Sequence, residues 1–274
     1  MAETLPDRPP DKSQEKDKSL EKFYRARITK RTDLAEDLWT VRIQAGGDFK
    51  FAPGQYATLG VDGPDKRSER AYSIVSSPYE SELEFFFELV PQGELTPKLY
   101  KLQVGDELLM RKIPKGRFTL DTKSGRTNHL LVATVTGVAP FVSYVRFLYK
   151  DWKEGKFAGD HKLFLLEGAS RSWELGYCEE LQKFAMEVPW LKYIPTISRP
   201  WDDTKWIGET GRVDDLLRKY ADMWGLTSTD SVAYLCGHPD MIETGKGILK
   251  RIGFTKEVVK EEIYWIPGKE VAAT

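Results

Sequence analysis

Apolar residues recur along this chain in two rhythms. Between Phe23 and about Thr122 they form short runs broken by Gly, Pro and Asp: Tyr24 to Thr29, Leu38 to Gln44, Gln55 to Val61, Leu83 to Val90 and Glu107 to Lys112. Runs of this length bounded by turn residues read as strands, and their even spacing predicts a small antiparallel barrel. The Leu83 to Val90 run is rich in phenylalanine and reads as a buried strand. Pro91-Gln92-Gly93 then marks a turn. Thr96-Pro97 opens a short helix, with Thr96 expected as N-cap and Pro97 at the first helical position.

After the polar link Lys123-Ser124-Gly125-Arg126-Thr127-Asn128 the rhythm changes. Strand-like runs (His129 to Thr134, Lys162 to Glu167, Leu191 to Ile197, Ser231 to Cys236) alternate with helix-like segments. The latter are Phe141 to Trp152, Cys178 to Met186, Val213 to Tyr220 and Pro239 to Ile252. That alternation predicts a parallel sheet flanked by helices. The chain of 274 residues therefore divides into an antiparallel β-barrel over 21–123 and an α/β Rossmann-like domain over 127–265. Each is long enough to bury a core. Residues 1–20 are Pro, Asp, Glu and Lys with little to bury, and read as a disordered tail. Residues 266–274 read as a C-terminal extension.

Charge and cysteine content narrow the function classes. Lys and Arg number 41 against 42 Asp and Glu, a balance that does not suggest a nucleic-acid binder. No apolar run approaches the roughly 18 residues needed to span a membrane. The polar start lacks a secretory core, so a cytoplasmic protein is expected. The two cysteines, Cys178 and Cys236, cannot supply a four-cysteine iron–sulfur site, and no metal site is expected. Core packing is the expected use of Cys178 on a helix face. His129 and His161 flank strands with no partner evident from the sequence.

The candidate chemistry centres on Glu69-Arg70-Ala71-Tyr72-Ser73-Ile74-Val75-Ser76-Ser77-Pro78. Alternate residues of an extended segment share a face, so Arg70 and Tyr72 point one way and Ser73 the other. A cation for a phosphate, an aromatic face for a ring and a small hydroxyl for a redox nitrogen are what a flavin needs. This run resembles the Arg-x-Tyr-Ser flavin motif of the ferredoxin–NADP reductase family. Further on come Gly93-Glu94-Leu95-Thr96-Pro97, Val104-Gly105-Asp106 and Lys115-Gly116-Arg117-Phe118-Thr119-Leu120, and that order is similar to the bacterial branch of the family. In the second half, Thr134-Val135-Thr136-Gly137-Val138-Ala139-Pro140 joins the first strand to its helix, where a pyrophosphate meets a helix N-terminus. Val135 stands where the family has a glycine. Thr196-Ile197-Ser198-Arg199-Pro200 and Arg212 lie at the carboxyl edge of the sheet and suit a phosphate monoester. Pro200 departs from the acidic residue common there, and NAD-using relatives also show Ser-Arg-Pro. Cys236-Gly237-His238-Pro239 ends a later strand, and Glu262, Tyr264 and Trp265 close the match.

The resemblance implies FAD and NADP(H) as cofactors and a separate ferredoxin or flavodoxin as electron carrier. It implies FAD contacts from Arg70, Ala71, Tyr72, Ser73, Gly93, Leu95, Thr96, Tyr264 and Trp265, and NADP contacts from Thr136, Gly137, Ser198, Arg199, Arg212, Cys236 and Gly237. Ser73, Cys236, Glu262 and Tyr264 are the implied catalytic group: Ser73 near the flavin N5, Cys236 beside the nicotinamide, Glu262 moving a proton and Tyr264 covering a flavin face. Lys66, Arg67, Arg111, Lys112 and Lys115 gather around the flavin motifs and could steer an acidic carrier. Two rivals are an NAD(P)H-dependent flavin reductase subunit feeding an oxygenase or cytochrome, and a flavin-binding subunit without turnover.

Overall fold

The computed structural model describes residues 20–63 and 66–264. The first half builds a six-stranded antiparallel sheet that curls into a nearly closed barrel: β1 (Phe23–Asp33), β2 (Leu38–Gln44), β3 (Tyr56–Val61), β4 (Ser68–Ser73), β5 (Leu83–Glu88) and β6 (Glu107–Arg111). The spatial order is β4-β3-β6-β1-β2-β5, so β4, which carries the flavin-like motif, lies at an edge. The second half builds a parallel sheet in the order β10-β9-β8-β7-β11-β12. Its strands are β7 (Asn128–Thr134), β8 (Lys162–Ala169), β9 (Leu191–Ile197), β10 (Glu209–Thr210), β11 (Ser231–Gly237) and β12 (Val259–Ile263). The helices are α1 (Thr96–Tyr100) in the first half, then α2 (Ala139–Lys153), α3 (Cys178–Glu187), α4 (Val213–Met223) and α5 (Pro239–Arg251).

The apolar pattern explains where these elements pack. Along β5 the side chains alternate faces, yet Phe85, Phe86 and Phe87 are all buried. Phe85 and Phe87 fill the barrel with Trp39. Phe86 points outward and meets Tyr177 from the second half edge-on at 5.7 Å. A strand apolar on both faces is thus one covered on both faces. In the parallel sheet, Leu131, Leu163 and Leu165 face α2 and α3, whereas Leu130, Val132 and Leu166 face α4 and α5.

The two halves are bolted together at α2. Ser143 Oγ donates to the Ser76 carbonyl at 2.8 Å, and the Tyr144 hydroxyl donates to the Phe118 carbonyl. Arg146 bridges Glu84 of β5 and Glu180 of α3, each at 2.7 Å. The Arg146–Glu84 pair is largely buried, and removing either partner alone would leave an uncompensated charge.

Several local expectations change. The N-cap position of α1 is Leu95, and Thr96 is its first residue. The Thr96 hydroxyl instead accepts from the Val90 amide and donates to the Val90 carbonyl, clipping the turn that precedes the helix. His129 does have a partner: its Nε2 lies 2.9 Å from His161 Nδ1. Cys178 opens α3, as the apolar pattern has it, and lies next to Tyr193. Among the described residues no helix is long and apolar enough to cross a membrane, and no group of three or more His, Cys, Asp or Glu could hold a metal. Residues 1–19, Trp265 and the extension 266–274 lie outside the described residues.

Candidate functional site

Register brings the catalytic candidates together. β12 pairs with β11 so that Cys236 lies opposite Glu262, and Cys236 lies opposite Ala133 on β7. Glu262 then reaches across to the barrel, where Ser73 Oγ donates to its carboxylate at 3.0 Å. These residues are 189 positions apart, and only the docking of the two halves joins them. Tyr264 follows one residue after β12. Its hydroxyl is buried among Cys236, Glu262 and Ser73.

Burial dominates the electrostatics of this cluster. It pushes the Glu262 carboxyl up to about 7, with the Ser73 hydrogen bond pulling the other way. Burial likewise lifts the Cys236 thiol well above its ordinary value, helped by the charge of Glu262. Cys236 is therefore a neutral, compact wall and not a thiolate nucleophile. Glu262 is a carboxyl poised to exchange a proton near neutrality.

The flavin motif runs along β4. Arg70 Nη2 lies 3.7 Å from Glu94, and Lys66 approaches the same carboxylate at 2.8 Å. Lys98 adds a third cation nearby through Ser68 Oγ at 2.8 Å. Tyr72 stands edge-on to Phe87 with ring centroids 4.8 Å apart, while Ala71 is exposed on the other face. Leu95 is buried in the barrel core, so it offers a ligand only its backbone. Gly93 closes the turn by donating its amide to the Val90 carbonyl.

These residues fit a flavin nucleotide. The cations around Glu94 outnumber it and suit a pyrophosphate. The Tyr264 hydroxyl lies beside Ser73, which ends the edge strand β4.

The turn from β7 into α2 is a 3-10 turn over Val135–Val138. Val135 has φ 44°, a left-handed conformation that a β-branched residue adopts only under constraint. The chain thus makes a left-handed turn here without a glycine. Gly137 has a different reason: a Cβ there would lie 2.8 Å from Gly237 Cα, so it allows the turn to press against the end of β11. Gly237 itself has φ 127°.

Past the carboxyl ends of β8 and β9, the Ser198 amide donates to the Ala169 carbonyl at 3.0 Å and the Arg199 amide to the Ser170 carbonyl at 2.9 Å. Arg199 is exposed and makes no ion pair among the described residues. Arg212 leans on Asp214 at 3.2 Å. The sequence reading missed Arg171, which holds Asp202 at 2.9 Å and Glu174 at 3.0 Å and lies over Trp173. The rule that selected Arg199, a cation just past a strand's carboxyl end, selects Arg171 after β8 as well. The basic set near the barrel is largely neutralised: Arg67 pairs with Asp62 at 2.9 Å and Arg111 with Glu69 at 2.6 Å.

Comparison with known proteins agrees with this arrangement. Residues 25–120 match the oxidoreductase FAD-binding domain family, and residues 131–246 match the oxidoreductase NAD-binding domain family. The chain is 31% identical over 234 residues to ferredoxin–NADP reductase A of Sorangium cellulosum, covering 80% of each chain. It is 29% identical over 248 residues to a ferredoxin–NADP reductase of Pseudomonas aeruginosa, covering 85% of this chain and 92% of that one. A ferredoxin NADP+ reductase from Neisseria gonorrhoeae, crystallised with FAD and NADP bound, superposes with a TM-score of 0.77 at 23% identity, over 89% of this chain and 99% of that one.

Proposed function

Because this chain belongs to the ferredoxin–NADP reductase-like family of FAD- and NAD(P)-binding oxidoreductases, we propose that it is a ferredoxin–NADP(+) reductase: an FAD-dependent enzyme that moves electrons between NADP(H) and a separate one-electron carrier such as ferredoxin or flavodoxin. The observation that carries this reading is the Ser73–Glu262 hydrogen bond beside Cys236 and Tyr264. It joins the flavin strand of one half to the coenzyme edge of the other, and a mere flavin binder has no need of it.

The chemistry FAD supplies at this site, when bound, is the conversion of a hydride into single electrons. The chain's residues do the rest. Arg70, with Lys98 close by, neutralises flavin phosphate. Tyr72 would pack against the flavin, and Ser73 would offer its hydroxyl to a polar ring atom. Cys236 flanks the nicotinamide, and Gly237 allows it close to the backbone. Glu262 holds or moves a proton through Ser73 Oγ. Tyr264 would cover a flavin face and would have to move for the nicotinamide to reach it. Thr136 and Gly137 shape the turn for the coenzyme pyrophosphate, and Ser198, Arg199 and Arg212 hold its 2′-phosphate.

Two experiments test this. Stopped-flow reduction of the purified yellow protein should be faster with NADPH than with NADH. Arg199→Ala should raise the NADPH KM about tenfold or more and leave NADH nearly unchanged, since only NADPH carries the 2′-phosphate. Equal losses for both coenzymes would make Arg199 structural. Separately, Arg70→Ala should weaken FAD retention by about 1.5–3 kcal/mol, the worth of a charge-assisted contact. Release of flavin on gel filtration reads it, and a variant that stays as yellow as the parent refutes the phosphate role.

A further inference from the structure

Glu167 has no part in the electron transfer described above, yet it is fully buried near the carboxyl end of β8. It shares the sheet face of Leu163 and Leu165, which α2 and α3 cover. One carboxyl oxygen accepts the Tyr193 hydroxyl at 2.5 Å. The other, Oε1, is buried without a partner. An ionised carboxylate with a bare oxygen in such a place is costly, and burial pushes this carboxyl up to about 8 against the pull of Tyr193. Two titratable groups face it: Tyr193 from β9, and Cys178 from α3, whose thiol burial pushes up to about 11. Glu179 lies beyond that thiol. β7 presents Ala133 in register with it. α2 contributes the apolar Phe141, Val142 and Val145 to this core, and its Tyr144 hydroxyl is engaged by Phe118.

The position matters. Gly168, the next residue, is in register with Thr134 at the end of β7, and the Val135–Val138 turn packs on β8. Val135 and Cys178 both rest on the small cluster of Ala169, Leu175 and Ile197. Glu167 therefore lies one layer beneath the turn and helix N-terminus assigned to the coenzyme phosphates.

We propose that Glu167 is a positioning residue that sets affinity for the dinucleotide phosphates: neutral, it leaves the positive field of the turn and the α2 N-terminus intact; ionised, it opposes that field from below. The proposal rests on the NADP(H) reading above. A negative charge in a poorly solvated layer acts on the phosphates with little screening. Binding should weaken roughly tenfold as the carboxyl ionises.

The test is calorimetric titration of the FAD-loaded full chain with adenosine 2′,5′-bisphosphate at pH 7 and pH 9. This probe lacks the nicotinamide and so does not reach Glu262, and its phosphates are already ionised above pH 7. With the carboxyl titrating at about 8, wild type should lose roughly fivefold in affinity across that interval, and Glu167→Gln should lose almost none. A second measurement needs no variant. Titration near pH 8 in two buffers of different ionisation enthalpy should show net proton uptake on binding, because the bound phosphates favour the neutral carboxyl. A wild-type affinity flat from pH 7 to pH 9, a Glu167→Gln profile as steep as wild type, or no proton uptake overturns the role of Glu167. Failure of the probe to bind at either pH overturns the NADP(H) reading instead.

Discussion

Glu262→Gln is expected to slow NADPH-driven reduction of a one-electron acceptor by about a hundredfold and to flatten its pH profile around neutrality. Positioned proton transfer contributes on the order of 10²–10⁴ in rate, and Glu262 is the only carboxyl bonded to Ser73 among the described residues. Below about pH 7 its carboxyl is protonated; above, it is ionised and accepts the Ser73 hydroxyl. Glutamine keeps the shape and can accept that hydroxyl, but cannot change protonation state. The same linkage gives a stability signature. The folded value lies above the ordinary 4.5, so the folded state binds more protons than the unfolded one between those values. Stability contributed by this carboxyl then falls as pH rises from about 4.5 through about 7, and Glu262→Gln should remove its share, leaving the part that Glu167 adds up to about pH 8. Ser73→Ala tests the relay from its other end: it should lose rate with the Glu262 titration still visible. A Glu262→Gln enzyme with the parent's rate and pH profile would mean that the proton travels by another route.

The architecture was readable because each half repeats one local rhythm. The Leu38–Gln44 and Leu191–Ile197 strands have the bounds that the apolar pattern predicts. Helix and strand ends elsewhere shifted by a few residues, as expected where fraying and side-chain clips compete with propensity. Thr96 shows the limit. Its sequence context suits an N-cap, but a nearby strand end offered Val90 as a partner for the same hydroxyl. The site divided in the same way. Arg70, Tyr72 and Ser73 sit in one short segment and are legible from it. The Ser73–Glu262 bond depends on how two domains dock, which no local pattern encodes. Glu167, Arg171 and the His129–His161 pair were missed for a related reason: each acquires its partner across the sheet or between loops. Val135 stands out in the sequence as a departure, but only its positive φ shows that a β-branched residue is held there in a left-handed conformation.

Gly137→Ala should cost about 2 kcal/mol or more of stability and at least about tenfold in NADP+ affinity while leaving flavin retention unchanged. The added Cβ would lie 2.6 Å from the Cys236 carbonyl carbon and 2.8 Å from Gly237 Cα, and it would overlap the Cys236 carbonyl oxygen. All three are backbone atoms at the end of a central strand, flanked by β7 and β12, so they cannot rotate out of the way. The turn must lift instead. That motion carries Thr136 and the start of α2 away from β11, and with them the amides assigned to the coenzyme pyrophosphate. It also disturbs Cys236 where it faces Glu262. The flavin strand β4 belongs to the other sheet and does not touch this contact, which separates a local displacement from general unfolding. Gly247→Ala is the matched control: it lies within α5, where the added Cβ meets only the Arg251 guanidinium at 3.5 Å, and alanine should raise stability by about 0.5–1 kcal/mol. Thermal denaturation and NADP+ calorimetry on both variants decide the matter. If Gly137→Ala melts and binds like the parent, the turn does not press on β11 in solution, and the close packing that places Cys236 against the coenzyme loop must be abandoned.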